Sequence, residues 1–441
     1  MAPGLSERAG LRLIARPLAL LAIVAFFSIR IVVAPYSAGS DIAQFRGFAE
    51  SFEARVFCMY IYSERQDNWP YSWLYVYPPI MGLLLSGLAN YVDSGVDFYW
   101  EEGTYRVVVD RGWVVSLKSI YIAADAMLVA VLYKYWGLLP ALAYAAMPAA
   151  IYNSSIYGMF DHLALLPLLA SMVLALRGRF AASGLLMGLS VSIKQTMLLP
   201  VLFLVLALST RVGLAHVATI MASFLFLVSA TLSPFLLLCP AASAEISSFL
   251  EYMSRIYYPE PIVYSFNGLS SIASYLHRFY GADSIILVRA WPLLFAFFSA
   301  LSVMTIIRLW RDPDTGRFLV KSAALGYMSF TATYWRVNYQ YLIPLAVLSL
   351  VAALKSKGLP RMAWLALALT INVWPILYPV SFWFRVHVEP DPLGLSISRY
   401  LSIGILDTWA YVVYGCLLTG IQYLVLLIEY RASRTVNARV D

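Results

Sequence analysis

The chain has 441 residues, of which 61% are hydrophobic and only 12% are charged, whereas soluble domains are about 45–50% apolar and about 25% charged. A soluble core cannot hide so many apolar side chains, so the composition predicts an all-α, polytopic membrane protein. Three cysteines without paired spacing and four scattered histidines exclude a disulfide scaffold and a zinc finger. The net charge of +7 comes mostly from basic residues at the ends of apolar runs, which indicates membrane orientation and no nucleic-acid partner.

The first apolar run, residues 18–33, follows three arginines, Arg8, Arg12 and Arg16. Positive charge favours the cytoplasmic side, so residues 1–17 are predicted to be a cytoplasmic N-terminus and the run to be the first span. A cleaved signal peptide is the alternative. It is disfavoured because the run exceeds an ordinary signal core and is followed by a poor cleavage site.

Residues 36–112 form a long segment with one apolar patch, residues 80–92, that is too short to cross a bilayer comfortably. If the patch crossed, the basic turns later in the chain would face outward. The segment is therefore predicted to be a structured outer loop. Its interfacial helix begins at Pro78 and Pro79 and follows a run of aromatic residues.

Eleven further apolar runs are predicted to cross the membrane: residues 113–133, 136–152, 160–176, 180–193, 197–208, 212–238, 285–307, 319–334, 341–354, 362–383 and 400–428. The resulting 12 spans place the basic inner turns and both termini in the cytoplasm, as expected of a multi-pass protein of the cell membrane. The chain then divides into the N-terminus, a transmembrane module over residues 18–354, and C-terminal spans with a short tail over residues 355–441.

Several ionisable residues are predicted to gather at the outer ends of spans or in outer loops. They are Asp41, Asp161, His162, Lys194, Arg336 and Arg385. A charge costs about 2.5–3.5 kcal/mol at mid-membrane, so ionisable residues near hydrocarbon are functional candidates by default. A carboxylate with several cations and aromatic rings beside lipid suits a substrate with an anionic headgroup, a sugar and a long apolar tail.

Each of these candidates also has a purely structural interpretation. Asp41 could be a general base or could cap the helix that follows it. Asp161 could stabilise the N-terminal end of the next helix. Lys194 could bind an anion or extend its ammonium to the interface. Arg336 could hold a phosphate through its planar fork or anchor the interface beside aromatic neighbours.

A DxD sequence, Asp312-Pro313-Asp314, is of the kind that holds a metal in nucleotide-sugar enzymes. Its arginine-flanked position instead favours a cytoplasmic turn. The sequence contains no Walker loop, GxGxxG or HExxH pattern, so no nucleotide-driven step is expected. No metal or cofactor is expected either.

Five features occur in order between residues 18 and 354: Asp41 after the first span, YPP at residues 77–79 in the outer loop, Pro148 with GMFDH at residues 158–162, KQTMLLP at residues 194–200, and WRVNYQYLIP at residues 335–344. This order resembles the GT-C superfamily of membrane glycosyltransferases, which includes the dolichyl-phosphate-mannose and dolichyl-phosphate-glucose transferases. The resemblance implies an inverting transferase that moves a hexose, expected to be mannose. The donor would be a polyprenyl-phosphate sugar and the acceptor a lipid-linked or membrane-bound molecule on the extracytoplasmic side.

The resemblance also implies roles for particular residues. Asp41 would be the base that deprotonates the acceptor hydroxyl. Lys194 and Arg336, with His162, would hold the donor phosphate, and Asp161 is a further substrate-binding candidate.

Tyr77 of the YPP motif is another substrate-binding candidate. Many relatives place a second acid directly before this motif, where this chain has Val76, and the nearest preceding acid is Asp67.

A sugar-lipid transporter or flippase is an alternative function, although no internal repeat is evident. A noncatalytic relative of the transferases is another.

Overall fold

A computed structural model describes residues 4–62, 75–92, 96–101, 104–255, 265–377, 386–393, 396 and 409–437. Asp67 and Arg385 lie outside the described residues. The described chain is mostly helical. Its α-helices are α1 Gly4–Val33, α2 Ser40–Phe52, α3 Met59–Tyr62, α4 Pro79–Ala89, α5 Arg111–Trp136, α6 Leu138–Ala145, α7 Pro148–Ile151, α8 Asp161–Leu176, α9 Phe180–Ile193, α10 Leu198–Ser209, α11 Leu214–Leu238, α12 Ala242–Arg255, α13 Gly268–Tyr280, α14 Ile285–Arg289, α15 Trp291–Leu309, α16 Thr315–Thr331, α17 Leu342–Lys355, α18 Gly358–Ile371, α19 Trp374–Leu377 and α20 Trp409–Asn437.

Within the described residues, five helical segments are long and apolar enough to cross a membrane: Arg16–Tyr36, Arg111–Trp136, Leu214–Leu238, Ile286–Leu309 and Trp409–Ser433. Each overlaps a predicted span, which supports a polytopic membrane protein. Most of the other predicted spans correspond to apolar helices of 10–17 residues, among them α8, α9, α10, α17 and α18. The count of twelve spans therefore stays a prediction.

The predicted span at residues 136–152 is interrupted in the structure. It is divided into α6 and α7, and α7 begins at Pro148 and continues into a π-helix, Tyr152–Tyr157. Proline favours the first turn of a helix because its missing N–H would have no partner there. The break places residues 152–157 where they can line the site described below.

The centre of the bundle is formed by helices that protein covers on all sides. Helix α17 is buried from Leu342 to Ala353 without interruption. Helix α11 is equally apolar but buries few residues, among them Ile220, Phe224 and Phe235. An apolar helix with an exposed apolar face needs lipid against that face. The outer helices thus supply a lipid-contact surface around a protein-packed core.

A small sheet corrects the all-α prediction. Strand β1, Val96–Glu101, pairs antiparallel with β2, Thr104–Val109, and β2 pairs parallel with β3, Val386–Glu389. Arg106 of β2 forms ion pairs with Glu101, at 2.6 Å, and with Glu389. Aromatic and β-branched residues favour such strands. The pairing of β3 with β2 could not be predicted because β3 lies far along the chain, whereas the β1–β2 pair is local and its aromatic and β-branched residues were an available signal.

The helix predicted at residues 80–92 is confirmed as α4, which begins directly after Pro78. It buries Met81, Gly82 and Leu85 and exposes Leu83. One face thus packs on protein while apolar surface remains on another. Its location at the membrane interface stays a prediction.

Cys58 and Cys239 form a disulfide with their Cα atoms 5.2 Å apart and 181 residues of separation in the chain. The sequence did not predict this pairing. The two cysteines meet only because the end of α11 packs against the distant segment that contains Cys58. Disulfides persist in oxidising compartments. The bond therefore agrees with the predicted outer placement of both cysteines, which stays a prediction.

A buried glutamate reinforces this connection. The carboxylate of Glu245 in α12 accepts hydrogen bonds from the backbone N–H groups of Tyr60 and Ile61, both at 2.8 Å. The hydroxyl of Tyr60 in turn donates to the carbonyl oxygen of Tyr77 at 3.0 Å. Helix α12 is thereby tied to the segment that carries the YPP motif.

Candidate active site

Asp41 lies in the first turn of α2, half-buried, and its carboxylate contacts side chains from two distant segments. The hydroxyl of Tyr339 donates to Oδ2 of Asp41 at 3.4 Å, and Tyr157 is a second hydrogen-bond partner. The rings of Tyr157 and Tyr339 lie against each other, with centroids 4.6 Å apart. A local helix cap would not require these long-range partners.

Burial raises the pKa of Asp41 above its ordinary value, while hydrogen bonds from Tyr157 and Tyr339 and the nearby ammonium of Lys194 oppose the rise. A general base works best when its pKa lies near the working pH. The direction of this shift therefore suits Asp41 to accept a proton.

The segment before Asp41 is held in place by Lys118, a buried residue of α5. Its ammonium lies within hydrogen-bond distance of four carbonyl oxygens, which share its three N–H groups: those of Ala34 at 3.1 Å, Ser155 at 2.8 Å and Ile156 at 2.9 Å, and that of Ser37. This one side chain joins the end of the first span to the π-helix. The sequence analysis missed Lys118, although a lysine inside a predicted span was a usable signal.

Two glycines, Gly39 and Gly158, allow the segment at the start of α2 and the π-helix to approach each other closely. A Cβ atom on Gly39 would lie 2.4 Å from the ring of Tyr157, and the Gly39 N–H donates to the Tyr157 carbonyl at 2.8 Å. Gly158 has φ +92° and would place a Cβ 2.2 Å from Ile42. A side chain at Gly39 would therefore require the Tyr157 ring to move, and one at Gly158 would require Ile42 to move and would also be strained by the positive φ.

Lys194 follows the last residue of α9 and forms an ion pair with Asp161, the first residue of α8. Both side chains are almost completely buried, so Lys194 does not extend to the interface. Its ammonium lies 4.9 Å from the ring centroids of both Phe160 and Tyr341, within the range of cation–π attraction. The lysine also interacts electrostatically with Asp41.

Asp41, Asp161 and Lys194 therefore share one site, although more than 30 residues separate each from the next in the chain. When both carboxylates are ionised, the trio has one more negative charge than positive. The ammonium thus stabilises the anionic form of both acids, and its charge is already balanced by Asp161.

Tyr77 of the YPP motif packs beside this trio. Its ring centroid lies 5.0 Å from that of Phe160 and 5.9 Å from that of Phe45. The side-chain amide of Gln195 donates to the carbonyl oxygen of Val76 at 2.8 Å. The residue after Lys194 therefore binds the residue before Tyr77, which joins two of the sequence motifs directly.

His162 is buried next to Asp161, with its ring edge-on to Tyr121 at a centroid distance of 5.5 Å. It interacts electrostatically with Asp125 and Arg30, and more weakly with Lys194. Arg30 and Asp125 form an ion pair at 3.2 Å with both side chains fully buried.

This ion pair joins α1 to α5, and the Arg30 guanidinium also donates to the carbonyl of Ala145 at 2.6 Å, which ties α1 to the end of α6. Arg30 lies within the first predicted span, residues 18–33, and the sequence did not identify its partner. An acid within a predicted span, Asp125, was the available signal.

Arg336 is half-buried in the segment between α16 and α17, three residues before Tyr339. The next residue, Val337, exchanges backbone contacts with residues 265–266: its N–H donates to Ser265 Oγ and its carbonyl accepts from the Phe266 N–H, both at 2.8 Å. Because Tyr339 hydrogen-bonds Asp41, the segment that carries Arg336 also supplies a partner of Asp41. A role for Arg336 in binding phosphate stays a prediction.

The DxD sequence forms a turn, as predicted. Asp312 forms an ion pair with Arg317, and the side chain of Asp314 accepts a hydrogen bond from the Arg317 N–H at 2.9 Å to cap α16. Both carboxylates are therefore occupied by the start of a helix.

A cavity of about 580 Å³ lies beside the sheet, lined by residues 108–111 and 389–392. Asp391 on its wall hydrogen-bonds Ser37, four residues before Asp41. The lining does not include Asp41, Asp161 or Lys194. This cavity is therefore not the space in which the three charged residues meet.

The fold and the site define a polytopic membrane protein with two carboxylates and an ammonium gathered at the ends of α2, α8 and α9. A sequence model of glycosyltransferase family 87 matches residues 75–333, more than half of the 441 residues. The chain belongs to glycosyltransferase family 87, a GT-C-like family of membrane enzymes. No curated protein matches the sequence. The matched segment contains Tyr77, Asp161, His162 and Lys194, whereas Asp41 precedes it.

Proposed function

We propose that the protein transfers a hexose, expected to be mannose, from a polyprenyl-phosphate donor to a lipid-linked or membrane-bound acceptor on the extracytoplasmic side. The supporting observation is the meeting of Asp41, Asp161 and Lys194 in one site within a bundle whose outer helices face lipid. Membership of a glycosyltransferase family supports the reaction type. The lipid-facing helices support lipid-linked substrates.

In the proposed reaction, the carboxylate of Asp41 takes the proton of the acceptor hydroxyl while that oxygen attacks the anomeric carbon. The bond from this carbon to the phosphate oxygen breaks, and its electron pair leaves with the polyprenyl phosphate. The anomeric configuration inverts, and the proton on Asp41 passes to solvent. Burial raises the pKa of Asp41, which strengthens it as a base for this step.

The leaving phosphate gains negative charge, because a diester with one charge becomes a monoester with nearly two. Positioning and charge neutralisation should therefore contribute more than an acid at the leaving group. Lys194 lies in the site, but Asp161 already balances its charge. A second cation is thus required, and Arg336 supplies it in this proposal, with His162 as a further candidate.

The proposal is tested with reconstituted protein and radiolabelled polyprenyl-phosphate mannose and polyprenyl-phosphate glucose. Asp41→Asn should abolish transfer while leaving membrane insertion and donor binding intact. Asp110→Asn is the matched control, since Asp110 caps α5 with an exposed side chain and asparagine caps equally well. Retained transfer by Asp41→Asn would overturn the mechanism. Donor binding or movement across the bilayer without transfer by the wild type would favour a noncatalytic relative or a flippase.

A further inference from the structure

Several polar atoms near Asp161 are buried without a hydrogen bond to any residue that the structure describes, among them Nε2 of His162 and Oγ1 of Thr196. Three more are Oδ2 of Asp161 and the phenol oxygens of Tyr121 and Tyr327. All three side chains are fully buried, and they come from α8, α5 and α16. The other carboxylate oxygen, Oδ1 of Asp161, is occupied by Lys194.

The two phenols belong to the same site as the carboxylates. Tyr121 interacts electrostatically with both Asp41 and Asp161, and Tyr327 interacts with Asp161. The Tyr327 hydroxyl faces that of Thr196 without a well-formed hydrogen bond. The Tyr121 ring also lies edge-on to His162, the neighbour of Asp161, at a centroid distance of 5.5 Å, which places Tyr121 beside this site.

Other buried tyrosines of the bundle do find partners. The Tyr144 hydroxyl donates to Asp125, and the Tyr414 hydroxyl donates to the carbonyl of Thr370 at 3.2 Å. A buried polar group without a partner costs about 1–3 kcal/mol. Native proteins commonly satisfy such groups with ordered water or with a bound polar ligand, and a cluster of them beside the proposed base suits a polar ligand.

The chemistry of the three atoms fits the hydroxyl groups of a sugar. A carboxylate oxygen accepts a hydrogen bond from a sugar hydroxyl, and a phenol O–H can donate a hydrogen bond to the oxygen of a sugar hydroxyl. Aromatic rings line the same site, since Phe160 and Tyr341 both contact the Lys194 ammonium and Tyr77 packs on Phe160. The C–H face of a pyranose ring packs well on such rings.

We propose that Tyr121 and Tyr327, with Oδ2 of Asp161, bind the hydroxyl groups of the donor sugar and determine which sugar the enzyme accepts. This inference rests on the proposed function, because it takes the ligand to be the sugar of a polyprenyl-phosphate donor. Tyr121 interacts electrostatically with both acids, so a sugar held by its hydroxyl would lie near both the base and Asp161.

A site that hydrogen-bonds a substrate hydroxyl rejects the analogue that lacks it, because the protein group is then left unpaired. The wild type should therefore use at least one monodeoxy donor far less efficiently than the parent donor. Tyr121→Phe and Tyr327→Phe keep the buried ring and remove only the hydroxyl. In at least one of them, kcat/KM for the parent donor should fall about tenfold while that for the matching deoxy donor stays unchanged.

The test measures kcat/KM for the polyprenyl-phosphate hexose and its monodeoxy analogues with the wild type and the two variants. Tyr414→Phe is the matched control, since it also loses a buried hydrogen bond but lies on α20. Its ratio of parent to deoxy efficiency should equal that of the wild type. If both donors lose efficiency equally in Tyr121→Phe and Tyr327→Phe, the hydroxyls are only structural and the inference is overturned.

Equilibrium binding of the same donors to Asp41→Asn, with and without each phenylalanine substitution, separates this inference from the proposed function. Discrimination that disappears with the substitution supports the sugar subsite even if the wild type transfers nothing. Transfer by the wild type together with unchanged discrimination in every variant overturns the subsite and leaves the transferase proposal standing.

Discussion

Lys194 and Asp161 form a buried ion pair that joins the end of α9 to the start of α8. Neither side chain reaches the surface, so each charge depends on the other for compensation. Removing one partner of such a pair leaves an uncompensated buried charge, which costs about 3–5 kcal/mol.

Lys194→Met should accordingly lower the free energy of unfolding by about 3–5 kcal/mol. Adding Asp161→Asn should recover part of the loss, because it removes the charge left unpaired. Thermal unfolding in detergent measures both effects. Lys134→Met, at an exposed lysine near the end of α5, is the control and should change little. Equal stability of Lys194→Met and Lys134→Met would contradict the importance of the pair.

The rate of transfer should depend on the protonation of Asp41. A base must be deprotonated to work, and burial raises the pKa of Asp41. Hence kcat/KM should fall as the pH decreases, with an apparent pKa above the ordinary aspartate value of about 3.9. Tyr339→Phe removes a hydrogen bond that stabilises the carboxylate, so it should move this limb to higher pH. A pH–rate profile in which the limb stays in place or moves to lower pH would exclude Asp41 as the titrating base.

Lys118→Met should damage both stability and activity. The substitution leaves four carbonyl oxygens without their shared donor, at Ala34, Ser37, Ser155 and Ile156. Hydrogen bonds to charged groups contribute about 1.5–3 kcal/mol each, so the total loss should exceed the effect of one ordinary bond. Hydrogen exchange of residues 34–41 and 153–158 should become faster. Unchanged exchange there would show that Lys118 does not hold the two segments together.

The Cys58–Cys239 disulfide should be detectable by thiol counting. In denatured protein, a maleimide should label only Cys416 without reductant and all three cysteines after reduction. Cys58→Ser should lower the unfolding temperature, because loss of a native disulfide typically costs about 2–5 kcal/mol. Cys416→Ser, which leaves the disulfide intact, serves as the comparison. Labelling of all three cysteines without reductant would show that the bond is absent.

The sequence alone was sufficient to predict a helical membrane protein, because apolar runs of span length have no other stable arrangement in lipid. It also identified Asp41, Asp161, Lys194 and Tyr77 as site candidates. Asp41, Asp161 and Lys194 stand out because ionisable groups near the ends of apolar runs are costly and conspicuous, whereas Tyr77 was identified by the YPP motif of the resemblance.

Only the tertiary structure decided which residues meet. The partners of Asp41, which are Tyr157 and Tyr339, and the pairing of Cys58 with Cys239 depend on how helices pack. So does the alignment of β3 with β2. Hydrophobic periodicity shows which face of a segment is buried but not which distant segment covers it, and a contact between residues more than 100 positions apart is set by that choice.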